Sequence, residues 1–545
     1  MGRSKLLVFF KSVVLFAVLV LFVTSGCTRR GKDIDVELPN GERATLKYEE
    51  TLRIMITSEP PSLDWHRAAD TTSALVTANL MEGLTQYDLS DKELKLMPAL
   101  AEKWESSDNA RKWKFTLRKD VVWSDGVPFT VQHVVDGWRR LLSRQTASEY
   151  AYFLFGIKNA KLFNEGKKTW EEVGVKVTGP NEITVELERS MSYFPYLLTH
   201  HSTFPIRLDV VEKGGDRWTE PGNMVTLGPF TLKVWQHDRL LVLERNDKYY
   251  GEKPQIKNII AYMIQEQATA INLFDSGKLD SVHDLPSVEL RRLRTRKEFR
   301  ETSRLSIYYY GFNVTKPPLD NPLVRKAIAM AIDRQQLVQM LAGGQHPLTG
   351  WIPSGMFGYE ADRGLTFDPE KARELLKQAG FGPGKKLPKI EIKFNTNEDH
   401  QRIAENIQAQ LKQNLGIEVE LKNEEWKVYL NTLRTDPPHI FRLGWQADYP
   451  DPDNFMSVLL SYSENNHTKW KNAKYDQLVT KAAGSLDREE RLRLYSEAQK
   501  LLVEEEVPAV PLYSTVKHVL VNERVENYPL NVMEVFSFKG VRLKN

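Results

Sequence analysis

The sequence predicts an α/β protein, because strand-like and helix-like patterns alternate along its 545 residues. The clearest unit is a strand over 389–394, a helix over 400–414 and a strand over 417–421, an order typical of βαβ units with parallel strands. A second well-marked helix, over 368–380, begins with an aspartate followed by a proline and ends at a glycine. The length predicts two or three domains.

The other elements follow from alternation for strands and from helical spacing of apolar residues for helices. We expect strands over 51–56, 112–118 and 183–187, a hairpin over 227–244, helices over 72–84, 130–142 and 488–505, and one continuous helix over 321–341.

The N-terminus is typical of an exported protein. A basic start is followed by a mostly apolar run over 6–23 and by small residues just before Cys27, the only cysteine. These features predict a lipoprotein signal peptide over 1–26, acylation of Cys27 and a polar tether over 27–47. The alternative is a simple membrane anchor with an incidental cysteine.

The charge of the chain excludes several classes of partner. The formal net charge is +3, and Arg3, Lys5 and Lys11 lie in the predicted signal peptide, so the mature chain is close to neutral. Nucleic acids and other polyanions call for basic patches, and we therefore expect no nucleic-acid partner.

Motifs of enzymes and metal sites fail on spacing. The glycine-rich loop 380–386 resembles a phosphate-binding loop, but Lys386 stands where that motif needs Ser or Thr. The acidic run 448–454 lacks the closing acid and central glycine of an EF-hand, and the pair His200-His201 has no third metal ligand nearby. We predict no catalytic residue, no metal and no cofactor, with a hydrolase that uses two carboxylates as the alternative.

Seven short motifs from residue 51 onward together resemble a known family, although each motif alone is too weak to identify it. They are EPPSLD (59–64), AEKWE (101–105), WKFTLR (113–118), WSDG (123–126), RWTEPGN (217–223), Asn313 with KPP (316–318), and RLGWQADY (442–449). In this order and spacing they resemble the solute-binding proteins of peptide ABC importers, solute-binding family 5.

The resemblance implies a two-lobed cleft fold of the periplasmic-binding-protein type II, with an additional small domain. It implies that lobe I comprises 48–86, 204–305 and 516–545, that the small domain covers 87–203, and that lobe II covers 306–515. The ligand would lie between lobes that close by a hinge.

The motif around Trp445 carries most of the implied ligand chemistry. The resemblance implies that Asp448 pairs with the free α-amino group of a peptide, and a solvated loop carboxylate is the alternative. A buried carboxylate is costly unless a cation pairs with it, so Asp448 would favour ligands that carry an amino group. Gly444 would let a ligand backbone approach, and Trp445 would provide a flat wall.

Further contacts are carried over at positions that match the family. Arg442 and His400 would meet the C-terminal carboxylate of the peptide, and the backbones of Ala69 and Thr71 would pair with the extended ligand. The candidates for the wall of the cleft, for which core packing is the alternative, are Tyr150, Trp426 and Tyr513.

The implied function is capture of oligopeptides with a free N-terminus by an extracytoplasmic lipoprotein, held at the cell membrane on its periplasmic side or at the cell surface. It would act as a monomer and deliver peptides to an ABC permease with its ATPase subunits. The alternatives are a peptide-sensing receptor, or binding of a dipeptide, a nickel complex or another solute of the family. Relatives place a lysine within 335–343, where this chain has no cation, so the preferred peptide length stays open.

Overall fold

The largest sheet of the computed structural model has six strands, all within 306–514. The structure describes residues 33–89, 91, 94–382, 384–424, 426–463 and 465–544. In spatial order the strands are His346–Pro347, Ala509–Ser514, Ser306–Phe312, Ile440–Gln446, Ile390–Asn395 and Val419–Glu424. The last two are parallel and are joined by the helix Glu398–Leu415, which confirms the predicted βαβ unit.

Both faces of this sheet are buried. In the central strand, Ile307 and Tyr309 pack into one hydrophobic core, whereas Tyr308 and Tyr310 pack into another on the opposite face, because successive strand side chains point to opposite sides. The helices of this region are Pro322–Met330, Arg334–Leu341, Pro369–Gln378, Glu398–Leu415, Trp426–Thr435, Asp453–Met456, Ala473–Gly484 and Arg488–Lys500, the last continued by the π-helix Leu501–Glu506.

Two smaller sheets form a second region. One contains Phe230–Gln236, Leu240–Arg245, Asn258–Met263 and Thr51–Ile56, and the other contains Ser281–His283, Val516–Val521 and Phe299–Ser303. The first sheet includes the predicted hairpin over 227–244. The helices of this region are Thr71–Leu80, Leu208–Gly214, Gln267–Asp275 and Ser287–Leu293.

A further sheet, which is antiparallel, is formed by residues that lie in the sequence between the strands Thr51–Ile56 and Phe230–Gln236. Its strands are Ala101–Ser107, Lys112–Leu117, Glu182–Glu186 and Val175–Gly179, and its helices are Val131–Leu142, Ala160–Asn164 and Phe194–Leu197. Three two-stranded ribbons complete the strands: Ile34–Glu37 with Arg43–Leu46, Thr85–Tyr87 with Leu96–Pro98, and Val525–Glu526 with Arg542–Leu543.

Two chain crossings connect the three-stranded sheet to the six-stranded sheet. The first lies between Ser303 and Ser306, and the second is Thr515. The backbone N–H of Arg304 donates to the carbonyl of Thr515 at 3.0 Å, and the N–H of Thr515 donates to Ser306 Oγ at 3.1 Å. Two adjacent extended segments of this kind can serve as the hinge between two lobes.

The single helix predicted over 321–341 is wrong. The structure has two helices, Pro322–Met330 and Arg334–Leu341. Between them Asp333 has an extended backbone, and its carboxylate accepts a hydrogen bond from the N–H of Gln336. An aspartate in this capping geometry begins a new helix, although the apolar periodicity continues across it.

The tether predicted over 27–47 is partly wrong. Ile34–Glu37 and Arg43–Leu46 form an antiparallel hairpin, whose Val36 and Leu46 are buried in a small core with Val242. The segment is polar on average, but alternation places its apolar side chains on one face. Cys27 and the predicted signal peptide lie outside the described residues.

Candidate ligand-binding site

A cavity of about 520 Å³ opens between the two larger regions of the molecule. One wall is formed by Ile56, at the end of its strand, and by residues 69–72 at the start of the helix Thr71–Leu80. The opposite wall is formed by Gln446, the last residue of the strand Ile440–Gln446, and by Ala447 and Asp448, which follow it. A cavity of this volume with walls from two lobes is typical of a small-molecule or peptide site.

Asp448 is a half-buried carboxylate in this cavity, and no cation of the described residues forms an ion pair with it. Burial raises the pKa of Asp448 to about 6, while a hydrogen bond from Asn454 acts in the opposite direction. Because an ionised carboxylate is costly in such surroundings, the site favours a ligand that brings a positive charge.

The side chain of Asn454 holds both Trp445 and Asp448 in place. Its Oδ1 accepts hydrogen bonds from Trp445 Nε1 at 2.9 Å and from the backbone N–H of Asp448 at 3.0 Å. Its Nδ2 donates to Asp448 Oδ2 at 3.3 Å. Trp445 is half-buried, packs against a hydrophobic core and does not line the cavity, so its role as a wall of the ligand site stays a prediction.

Gly444 has a packing explanation in the sheet. It faces Tyr308 of the neighbouring strand, and a β-carbon on Gly444 would lie 3.2 Å from the carbonyl oxygen of Ile307. The absence of a side chain therefore lets two strands approach closely. The close approach of a ligand backbone at Gly444 stays a prediction.

Aromatic side chains face Asp448 across the cavity. The rings of Tyr150 and His200 lie 4.5 Å apart, and both residues line the cavity. Burial and the charge of Asp448 raise the pKa of Tyr150, so its hydroxyl stays protonated near the carboxylate. Burial and His201 lower the pKa of His200, which is therefore uncharged at neutral pH. The surroundings of Asp448 thus offer rings but no counter-ion.

Ala69 and Thr71 are exposed residues on the cavity wall. His201 Nε2 lies 3.0 Å from the carbonyl oxygen of Ala68, a contact that fixes the backbone just before Ala69. Thr71 is the first residue of its helix, where backbone N–H groups have no acceptor within the helix. The geometry leaves room for main-chain pairing with a ligand, which stays a prediction.

A second polar cluster lies on the six-stranded sheet and gathers Arg442, His400 and Tyr513 around Tyr308. The guanidinium of Arg442 lies 4.5 Å from the ring centroid of Tyr308, and Tyr513 stacks on Tyr308 at 4.6 Å. The Tyr308 hydroxyl lies 3.2 Å from His400 Nδ1. Burial and Arg442 lower the pKa of His400 to about 3, so Arg442 is the cation of this cluster.

Arg442 is only partly satisfied. Its Nη1 donates to Asn395 Oδ1 at 3.1 Å, whereas its buried Nε has no hydrogen-bond partner in the described part of the chain. A ligand carboxylate is the kind of group that such a guanidinium binds. None of Arg442, His400 and Tyr513 lines the 520 Å³ cavity itself. The side chain of Trp426 lies outside the described residues.

Sequence reasoning missed a cluster of ionic residues on the hinge side of the cavity. Lys517 Nζ contacts Asp284 at 2.7 Å and Glu534 at 2.9 Å, and Arg304 contacts Glu534 at 2.6 Å. These residues come from distant parts of the sequence and follow no local motif. Asn454 was missed for the same reason, although it belongs to the acidic run 448–454.

The described residues contain no membrane-spanning helix and no cluster of metal-binding side chains. No helix there combines the length and apolar character needed to cross a membrane. No group of three or more His, Cys, Asp or Glu side chains within 33–544, apart from the undescribed positions, is arranged to hold a metal ion.

Comparison with known proteins gives consistent matches over most of the chain. The model of bacterial extracellular solute-binding proteins, family 5 middle, matches residues 95–467. The oligopeptide-binding protein of Bacillus subtilis is 32% identical over 518 residues, which cover 92% of this chain and 93% of that protein. The periplasmic oligopeptide-binding protein of Escherichia coli is 34% identical over 506 residues, covering 90% and 92%.

A solved structure shows the same fold. The oligopeptide-binding protein of Haemophilus influenzae in complex with the peptide RPPGFSPFR superimposes with a TM-score of 0.75 at 30% identity. The match covers 92% of this chain and all of that one, at 100%. The predicted two-lobed α/β cleft fold is confirmed by this likeness.

Proposed function

The chain belongs to family 5 of the bacterial extracellular solute-binding proteins, and we propose that it captures oligopeptides with a free N-terminus and delivers them to an ABC permease. The relatives named above are oligopeptide-binding proteins, and one of them is solved with a peptide in place. The ligand would be bound and released without chemical change.

The observation that carries the proposal is the unpaired carboxylate of Asp448 in the cavity between the lobes. A peptide contributes an ammonium group at its N-terminus, which would supply the missing positive charge. Arg442 would receive the other end of the peptide, and the backbones of Ala69 and Thr71 would pair with its main chain. Main-chain and terminal contacts select for peptides without selecting their side chains.

The domain boundaries complete the proposal. Lobe I would comprise 48–86, 204–305 and 516–545, lobe II would comprise 306–515, and the small domain would cover 87–203. The crossings at 304–305 and Thr515 support this division, because they connect two separate sheets. Rotation about them would open and close the cavity.

Binding can be tested by isothermal titration with unblocked tri-, tetra- and pentapeptides, together with mass spectrometry of ligands that copurify with the protein. We expect saturable binding of at least one length class and peptides in the copurified fraction. Dipeptides and nickel complexes belong in the same series, because preference for either would contradict the oligopeptide assignment. The absence of binding for every unblocked peptide would refute it.

Membrane attachment through Cys27 is a separate part of the proposal. Replacing Cys27 with serine should move the protein from the membrane fraction to the soluble fraction, while peptide affinity stays unchanged. Retention of the Cys27→Ser protein in the membrane would show that another feature holds it. Measuring peptide uptake after deletion of the protein separates transport from sensing, because a receptor that only senses would leave uptake intact.

A further inference from the structure

Asn454 connects Trp445 and Asp448, two residues of the segment 442–449 that would face a ligand, by one side chain. It accepts from Trp445 Nε1 and from the N–H of Asp448, and it donates to Asp448 Oδ2. The residue is almost fully buried, with 4% of its surface exposed. Its amide therefore forms its hydrogen bonds within the protein, with residues that would touch a ligand.

Asn454 is itself held rigidly. It lies in the short helix Asp453–Met456, whose Phe455 and Met456 are fully buried. The loop before it is fixed by Asp451, which accepts two hydrogen bonds from Arg491 at 2.6 and 2.9 Å. A rigid support of this kind is what keeps a binding group in a productive orientation.

We propose that Asn454 is a positioning residue for the peptide N-terminus: it holds Asp448 Oδ2 and Trp445 so that Asp448 Oδ1 faces the incoming ammonium group. The inference rests on the proposed function and goes further, because it assigns a role to a residue that would not touch the ligand. In the described part of the chain, Oδ1 accepts no hydrogen bond, whereas Oδ2 is occupied by Asn454.

A consequence concerns ionisation of the anchor. A hydrogen bond donated to a carboxylate stabilises its charged form, so Asn454 lowers the pKa of Asp448 while burial raises it. Loss of the amide should leave Asp448 protonated up to a higher pH. As the pH is lowered, the affinity for a ligand with an amino group would then begin to fall at a higher pH than in the parent protein.

The other ionisable groups near Asp448 are tyrosines and histidines. The pKa values of Tyr87 and Tyr150 are raised and that of His200 is lowered well below its usual value, mainly through burial, so these three side chains stay uncharged near neutral pH. Burial also lowers the pKa of His201, and the pKa of Tyr152 is raised. On the hinge side the charges are paired with one another, in the cluster of Asp284, Arg304, Lys517 and Glu534. Within the acidic run 448–454, Asp451 forms an ion pair with Arg491, and burial raises the pKa of Asp453.

The test compares Ala-Ala-Ala with N-acetyl-Ala-Ala-Ala in titrations from pH 5 to pH 8. The first variant is Asn454→Leu, which keeps the branched shape of the side chain and removes the amide. We expect its affinity for the free tripeptide at pH 7 to fall about tenfold, and the pH midpoint of binding to rise by about one unit. The affinity for the acetylated peptide should change less than about twofold. Because this peptide has no ammonium group, its pH profile is the control for titration of Asp453.

The second variant, Asn454→Asp, keeps an acceptor for Trp445 and places a second carboxylate beside Asp448. It should raise the pH midpoint further, because like charges oppose ionisation. It also decides the question if Asn454→Leu does not fold. The matched control is Asn466→Leu, which removes another buried amide and should leave the ratio of the two affinities unchanged. The Nδ2 of Asn466 donates hydrogen bonds to Leu459, Leu460 and Trp470, and its Oδ1 accepts one from Thr468.

Equal losses for the free and acetylated peptides, with an unchanged midpoint in the Asn454 variants, would overturn the inference and leave Asn454 a purely structural residue. That result is distinct from failure of the proposed function. If the parent protein binds no unblocked peptide of any length, the proposed function is wrong and the inference is wrong with it.

Discussion

Two aspartates of this protein, Asp280 and Asp448, show opposite ways of placing a carboxylate away from water. Asp280 has no exposed surface and lies between Arg53 and Arg524, with contacts of 2.7 Å to each. Burial would raise its pKa, but the hydrogen bonds from Arg524 and Arg53 outweigh burial and lower it. Among the described residues, the Asp448 carboxylate accepts a hydrogen bond only from the amide of Asn454, and burial raises its pKa to about 6.

The difference separates a structural charge from a functional one. The charge of Asp280 is compensated within the protein, by Arg53 of the strand Thr51–Ile56 and by Arg524. The charge of Asp448 is left to be compensated from outside, in a cavity large enough for a ligand. A carboxylate with a raised pKa and no cationic partner among the described residues is thus a better indicator of a binding site than a buried carboxylate as such.

The largest expected effect is on stability, from Asp280→Ala. This change leaves two buried arginines without their shared partner, and we expect the free energy of unfolding to fall by about 3–5 kcal/mol. Urea unfolding monitored by circular dichroism measures it. The control is Asp275→Ala, which breaks a partly exposed pair with Arg296 and should cost less than about 1 kcal/mol. An equally small loss for Asp280→Ala would contradict the assigned role.

The next effect is a pH dependence of binding that only Asp448 should produce. Its raised pKa means that the carboxylate takes up a proton as the pH falls below about 6, so the affinity for an unblocked peptide should fall about tenfold between pH 7 and pH 5. Asp280 has a lowered pKa and contributes nothing in this range. Its stabilisation is lost only at lower pH, as the pH falls below its unfolded value of about 3.9 and through its folded pKa.

Titration calorimetry at several pH values checks this profile. The profile should become flat in Asp448→Asn and for N-acetylated peptides. A parent protein whose affinity for unblocked peptides is constant from pH 7 to pH 5 would show that Asp448 does not contact the amino group.

The smallest expected effect is on the stability of Asp448→Asn without ligand. Because the folded state holds a proton on Asp448 more readily than the unfolded state, ionisation at pH 7 destabilises the fold. The variant should therefore be as stable as the parent or more stable, by up to about 1 kcal/mol, and the difference should vanish as the pH falls through 6 toward 4. A clear loss of stability at pH 7 would place Asp448 with Asp280, as a structural carboxylate.

The sequence predicts local elements well where periodicity and caps agree. The βαβ unit ending at Val419–Glu424 and the hairpin over 227–244 follow from alternation in the strands and helical spacing in the helix. The prediction of one helix over 321–341 is wrong, and that of a tether over 27–47 is partly wrong. In the first case the capping geometry of Asp333 outweighed continuous apolar spacing, and in the second two buried side chains outweighed a polar average.

The site is predictable only in part. Asp448 is identified from a family motif, and its lack of a counter-ion depends on contacts that the sequence does not contain. The partners of Asp280 lie 227 and 244 residues away, so the sequence gives no sign that Asp280 is paired while Asp448 is not. Asn454 is six positions from Asp448, but its hydrogen bonds depend on the turn that places it there.

The central claim, that Asp448 pairs with the amino terminus of a peptide, is tested most directly by a cycle of four titrations at pH 7. The parent and Asp448→Asn are each titrated with a tripeptide and with its N-acetylated form. We predict a coupling of at least about 1.4 kcal/mol, a tenfold difference, between the carboxylate and the ammonium group. A coupling of zero, with both peptides weakened equally by the substitution, would contradict the claim.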